Sequence, residues 1–125
     1  MRYSILLLFL ITYNGFSQSK DCLKFKTGNF KYTNPDFQHF TITRNDTMQI
    51  EIDKNRDVTV KASIKWLSDC EYLLTYKEVI NSSVQQIIGT KVKVQIIESN
   101  NNTYLCRAVS DDNLMDSKIE MIKVE

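Results

Sequence analysis

In "DVTVKASIKWL", residues 57 to 67, apolar side chains fall on every second position. Val58, Val60, Ala62, Ile64 and Trp66 share one face, and Asp57, Thr59, Lys61, Ser63 and Lys65 share the other. Side chains that alternate in this way belong to a β-strand with one face against a core and the other in water. The alternation returns in "CEYLLTYK" through Tyr72, Leu74 and Tyr76, in "KVKVQIIE" through Val92, Val94 and Ile96, and in "TYLCRAVS" through Tyr104, Cys106 and Ala108. Weaker versions run through "HFTITRN", "TMQIEID" and "KIEMIKVE". In the last of these, either Ile119 and Met121 or Ile122 and Val124 face inward.

Polar clusters rich in turn-forming residues separate these segments: "TNPDF", "RNDT", "DKNRD", "SD", "SNNN" and "SDDN". With "KFKTGNFKYT" as the first strand, the chain carries about eight short strands joined mostly by tight turns, an all-β antiparallel meander. A strand set with one apolar face leaves exposed edges unless it closes, so the expectation is a small up-and-down barrel, with a curved open sheet as the rival. "NSSVQQIIG" breaks the rhythm. It reads as a short helix or a covering loop near residues 82–88, with Ser82 or Ser83 as cap and Gly89 as stop.

The first residues have the layout of a secretory signal peptide: Arg2, an apolar run from Ile5 to Ile11, then a small-x-small ending at Gly15-Phe16-Ser17. The run is far short of the roughly 20 residues of a membrane-spanning helix, so no membrane span is expected. Cleavage after Ser17 leaves a single β domain over residues 18–125. Lipid attachment at Cys22 is the lesser alternative, because Lys20 and Asp21 put two charges where a lipid-attachment signal wants small and apolar residues. Without Arg2, the sixteen Lys and Arg become fifteen against fifteen Asp and Glu. Neutral charge and singly scattered lysines argue against a nucleic-acid partner.

The turn after Trp66 constrains the cysteines. Pairing Trp66 with Tyr72, Ile64 with Leu74 and Ala62 with Tyr76 keeps every apolar residue of this hairpin on one face. A two-residue turn at Ser68-Asp69 would oppose Trp66 to Glu71 and throw the tyrosines to the wrong side. The connection therefore has an odd length or a bulge, and Cys70 lies in it. In a meander, the start of the first strand and this turn lie at the same end of the sheet, so Cys22 and Cys70 are expected to bridge in an oxidising compartment. Cys106, whose strand follows the turn "SNNN" at that same end, is the competing partner; fixed within a ladder with its side chain inward, it is expected instead as a buried free thiol.

Catalytic chemistry is sparse. A nucleophile needs a base beside it, and the single histidine, His39, stands at the entrance to a strand, where it reads as a surface residue. Three dispersed cysteines and one histidine give no metal-ligand spacing, and no cofactor motif is present. Asp111-Asp112 belongs to a turn, and every strand Asp or Glu is expected on the polar face. The candidate site residues are the inward aromatics Trp66, Tyr72, Tyr76 and Tyr104, as lining for a small apolar or aromatic ligand; plain core packing is the competing role.

The layout "CLKFKTGNFKY", "TITRND" with "QIEID", "IKWLSDCEYLLTYK", "IIGTKVKVQIIE" and "MIKVE" resembles a family of small exported proteins of flavobacteria and their relatives. The resemblance covers nearly all of residues 18–125 and implies export and size. The label DNA topoisomerase, sometimes given to sequences of this look, finds no support in a short, neutral chain with a leader. The Lys-Thr-Gly-Asn-Phe opening and the meander are also similar to lipocalin-like barrels, with Phe30 where those carry Trp. The expectation is thus an exported, non-enzymatic barrel that binds a small ligand, or else an envelope interaction or inhibitor module acting through its loops.

Overall fold

Eight antiparallel strands follow one another around a closed barrel in the computed structural model, which describes residues 21–124. They are β1 (Gly28–Tyr32), β2 (Phe40–Arg44), β3 (Met48–Asp53), β4 (Val58–Ser68), β5 (Glu71–Ile80), β6 (Lys91–Asn100), β7 (Thr103–Ser110) and β8 (Asp116–Lys123). Each pairs with its sequence neighbour, and β1 closes on β8 through Phe30↔Lys123, Lys31↔Ile122 and Tyr32↔Met121. Closure leaves no open sheet edge. The expected leader and its cleavage point at Ser17 lie outside the described residues. No described helix is long and apolar enough to cross a membrane. The exposed outward positions Lys65, Lys91, Lys93 and Arg107 do not form the apolar outer band of a lipid-spanning barrel.

The β4–β5 hairpin has the expected register, with Trp66↔Tyr72, Ile64↔Leu74 and Ala62↔Tyr76. The parity is met by a bulge. The register shifts between Trp66 and Ser68, so Leu67 is the extra residue and Asp69-Cys70 the turn. A second shift in the same pair leaves Lys77 unpaired, after which Val79 takes the inner face opposite Val60. In β8 the inner face belongs to Met121, with Ile119 packed against the core.

Several expectations are corrected. The first strand begins only at Gly28, because Leu23–Phe25 form a single 3-10 turn that tips Phe25 into the barrel, where it is fully buried. Gly28 has φ 130°, a backbone that side-chain-bearing residues rarely adopt, and it redirects the chain from that turn into β1. Of the two forms expected for residues 82–88, the covering loop is the one present, turn-rich and with Val84 N–H donating to Ser82 Oγ. Val58 and Val60 face inward as expected, yet are half-buried because they line an open end of the barrel. Lys61 points outward, also half-buried, with its Nζ 3.8 Å from Glu78 Oε2.

The largest correction concerns β3. Its alternation suggested Ile50 and Ile52 inside and the acids outside; the structure reverses it. Gln49 and Asp53 are buried, Glu51 lines the interior, and Ile52 is 37% exposed. The connection Asn45-Asp46-Thr47 explains this. Asn45 N–H donates to the Met48 carbonyl at 3.0 Å, so the turn proper is the two residues Asp46-Thr47, held by Asn45 Oδ1, which accepts from the N–H groups of Thr47 and Met48. An even turn pairs Ile42 with Glu51 and Arg44 with Gln49, where an odd one would oppose Ile42 to Ile50. Since Ile42 must point inward, so must the polar side of β3.

Strand direction sorts the connections between two ends. Residues 21–27, which lead into β1, and the short connections at residues 45–47, 69–70 and 101–102 lie at one end. The longer ones at residues 33–39, 54–57, 81–90 and 111–115 lie at the other. Asp57, Asn81 and Asn113 in these longer loops adopt positive φ, which Asn and Asp tolerate better than other side chains. The first end is closed and the second open.

Candidate functional site

The closed end is plugged. Cys22 and Cys70 are disulfide-bonded, with Cα atoms 5.2 Å apart, which ties the 3-10 turn to the β4–β5 turn. While bridged, Cys22 has no thiol to carry a lipid. Beneath the bridge lies Arg44, 2% exposed. Its Nη1 donates to the Phe25 carbonyl at 2.8 Å, and its Nε and Nη2 both donate to Gln49 Oε1, at 3.0 and 2.8 Å. Nη2 also reaches the hydroxyls of Tyr72 (3.2 Å) and Tyr104 (3.0 Å). The guanidinium lies 4.4 Å from the Phe30 ring centre and 4.8 Å from that of Tyr72. Neutral acceptors and aromatic faces thus replace the carboxylate that a buried arginine usually needs.

This arrangement decides what two of the candidate lining residues do. Tyr104 is wholly buried against Phe25 and donates to Met121 Sδ at 3.1 Å, and Tyr72 is equally enclosed. Burial, opposed by the Arg44 charge, raises both phenols above their ordinary value. Trp66 packs on Tyr72 with ring centres 4.7 Å apart, under Lys26, and its Nε1–H is buried without a partner. These three aromatics belong to the closed end. Cys106 is a buried free thiol that donates to the Ile119 carbonyl at 3.4 Å; burial pushes it up to about 11, so thiolate chemistry is suppressed.

Above the plug, the interior keeps a small cavity of about 60 Å³ lined by Gln49, Glu51, Tyr72, Tyr76, Cys106 and Met121, among others. A space of that size holds a few waters, whereas organic ligands occupy sites of roughly 300 to 1,000 Å³. The open end has the larger room. One lobe of about 370 Å³ is lined by Tyr32, Phe37, Phe40, Glu51, Met115 and Ile119, with Ser117 and Lys118 at its edge. A second, of about 310 Å³, lies over Val58, Val60, Tyr76, Val79 and Ile87, with Asp53 and Arg56 beside them. Phe40 and Glu51 line both lobes. Of the four candidate aromatics, Tyr76 alone lines a lobe of this mouth.

Glu51 forms the floor. Tyr32 Oη donates to its Oε1 at 2.7 Å, and among the described residues no Lys, Arg or His forms an ion pair with it. Burial, partly offset by the Tyr32 hydrogen bond and reinforced by the Asp53 charge, raises the Glu51 carboxyl above the usual range. The same burial, with the Glu51 charge, drives Tyr32 and Tyr76 upward. Asp53 is held differently. Its Oδ1 accepts from Asn55 and Arg56 N–H and lies 3.9 Å from His39 Nε2, while Arg56 Nε stands 4.0 Å from Oδ2. His39 is half-buried and packs on Phe40 at 4.3 Å between ring centres.

Tyr32, Phe37 and Phe40 form an aromatic cluster at the rim, with pairwise ring-centre distances of 5.9, 5.9 and 6.2 Å. The β1–β2 connection sets it: Asn34 Oδ1 caps a 3-10 turn at Pro35–Phe37 by accepting from Asp36 N–H, which places Phe37 over Tyr32. Sequence reasoning missed Glu51, Asp53 and this cluster. The length of the "RNDT" turn is the deciding feature for the acids: a two-residue turn at Asp46-Thr47 inverts β3 relative to β2, and the sequence does not fix that length. Among the described residues no group of three or more His, Cys, Asp or Glu is arranged to hold a metal. No protein-family model, curated protein or solved structure matches the chain.

Proposed function

We propose that this chain is an exported, non-enzymatic binding protein that takes a small, largely apolar ligand into the open mouth of its barrel. The observation that carries the reading is the pair of lobes, about 370 and 310 Å³, joined at Phe40 and Glu51. Their walls are mostly aromatic and aliphatic, with a few convergent polar groups, as in small-molecule sites generally. Export is supported by the leader-like opening and by the disulfide, which suits an oxidising compartment. A binding role is favoured over an enzymatic one because the mouth offers carboxylates and phenols without a nucleophile set against a base.

The test is a titration of the disulfide-bonded protein with N-phenyl-1-naphthylamine, a neutral dye that brightens in apolar sites. Saturable binding of one dye per chain is expected, and Met115→Trp, which fills one lobe, weakens it. A linear, non-saturating response overturns the reading.

A second reading, an interaction or inhibitor module, is favoured by the exposed apolar side chains around the same rim. Phe37, Val84, Ile88 and Leu114 come from three different loops, and Leu114 is 88% exposed. If Leu114→Ser abolished capture of an envelope protein while dye binding stayed unchanged, the loops would carry the function.

A further inference from the structure

We propose that the ligand of this mouth is an organic cation: an amine or quaternary ammonium head on an apolar or aromatic body, with the head seated on Glu51 beside Phe40. The proposal rests on the mouth being a ligand site and names the chemistry that the site selects. Three observations converge on it.

Glu51 is a carboxylate on the inner wall of a barrel, and its only described partner is the Tyr32 hydroxyl. Other enclosed charges of this protein are provided for. Arg44 has five hydrogen bonds and aromatic faces, and Asp53 has two backbone donors with Arg56 and His39 nearby. An enclosed carboxylate without a cation is unfavourable, so a positive group arriving there gains a partner without displacing one.

Glu51 is also bordered by rings. Tyr32 and Phe40 flank the first lobe and Tyr76 and Phe40 the second. Aromatic faces attract cations through their quadrupole, and a carboxylate among several rings suits ammonium groups above neutral or anionic ones. Finally, the two lobes leave room for the rest of such a molecule, along Met115 and Ile119 on one side or Val58, Val60 and Val79 on the other.

The neighbouring charges do not cancel this preference. Around Glu51 stand Tyr32 on β1, Phe40 on β2, Asp53 on β3, Val58 and Val60 on β4, Tyr76 on β5, Cys106 on β7 and Lys118 on β8, while His39 lies against Asp53 and Phe40. The positive groups at the lobe edges, Arg56 and Lys118, are exposed, and Arg56 is already near Asp53. Solvent screens both, whereas Glu51 acts at the floor.

A matched series displacing N-phenyl-1-naphthylamine from the full disulfide-bonded chain tests the inference: tryptamine as the cation, tryptophol as its neutral counterpart and indole-3-propionate as the anion. Tryptamine is expected to bind about ten-fold or more tightly than tryptophol at neutral pH, and indole-3-propionate more weakly than either. In Glu51→Gln the tryptamine-to-tryptophol ratio falls to about one, a loss of about ten-fold. Lowering the pH until Glu51 is protonated erases the same ratio in the unmutated protein, which makes the result independent of how the variant folds. Equal affinities at neutral pH, or a cation preference that survives Glu51→Gln, overturn the proposal while leaving the mouth as a site. Failure of the dye and all three indoles to bind overturns both.

Discussion

At its closed end the barrel is filled by a charged group that the protein satisfies completely, and at its open end by one that it does not. Arg44 and Glu51 sit on adjacent strands, both on the inner face. Arg44 is enclosed by Gln49, Tyr72, Tyr104, Phe25 and Phe30, under a disulfide. Glu51 has a single phenol, and open space of about 370 and 310 Å³ on either side. The difference follows from the connections. Short turns and the 3-10 plug let the strands converge at one end, whereas four longer loops hold the other apart. Stability is thus concentrated where the wall is sealed and recognition where it is not, as is general for sites placed on rigid scaffolds.

The comparison breaks most readily at Arg44. Arg44→Met strands the Gln49 and Phe25 carbonyls in the core and takes one partner from each of two phenols, and is expected to cost about 3 to 5 kcal/mol in urea unfolding. A variant as stable as the parent would mean that the network does not hold the closed end. Next comes the bridge. Replacing Cys22 and Cys70 together by Ser removes a link across 48 residues and is expected to cost about 2 to 4 kcal/mol, read from the same titration. No loss would show that the 3-10 plug stays seated without it.

A smaller contrast sharpens the point between phenols. Tyr104→Phe removes a hydroxyl bonded to Arg44, Tyr72 and Met121, and should cost about 1 to 2 kcal/mol. Tyr76→Phe at the mouth, where no hydrogen bond to the hydroxyl is described, should stay within about 0.5 kcal/mol. Equal costs would erase the distinction between the ends.

The smallest effect is electrostatic. Because burial raises the Glu51 carboxyl, the folded state holds that proton more tightly than the unfolded chain does. This contribution is complete below the unfolded value of about 4.3 and is lost as the pH rises through the folded value. Glu51→Gln should therefore flatten the fall of melting temperature across that window and match or exceed the parent at neutral pH. A steeper fall in the variant would contradict the assigned burial.

Much of this molecule is determined by sequence alone. Strict alternation in four segments, with polar clusters between them, requires an antiparallel meander, and edge closure makes it a barrel. Parity at Trp66 and Tyr72 demands a bulge or an odd connection and puts Cys70 in the turn, within reach of Cys22; these are local counting rules, so one hairpin suffices to apply them. The inward face of β3 is another matter. Its own alternation favours Ile50 and Ile52 inside, and it is overruled by two neighbouring strands that must both present apolar residues, Ile42 and Ala62, to the same core. Only the closed ring decides between a strand's own pattern and its partners' registers, because a side chain's inside exists only once the barrel does. For the same reason the aromatic rim and the enclosed, unpaired Glu51 are legible only in three dimensions, where residues from β1, β2, β3 and β5 arrive at one mouth.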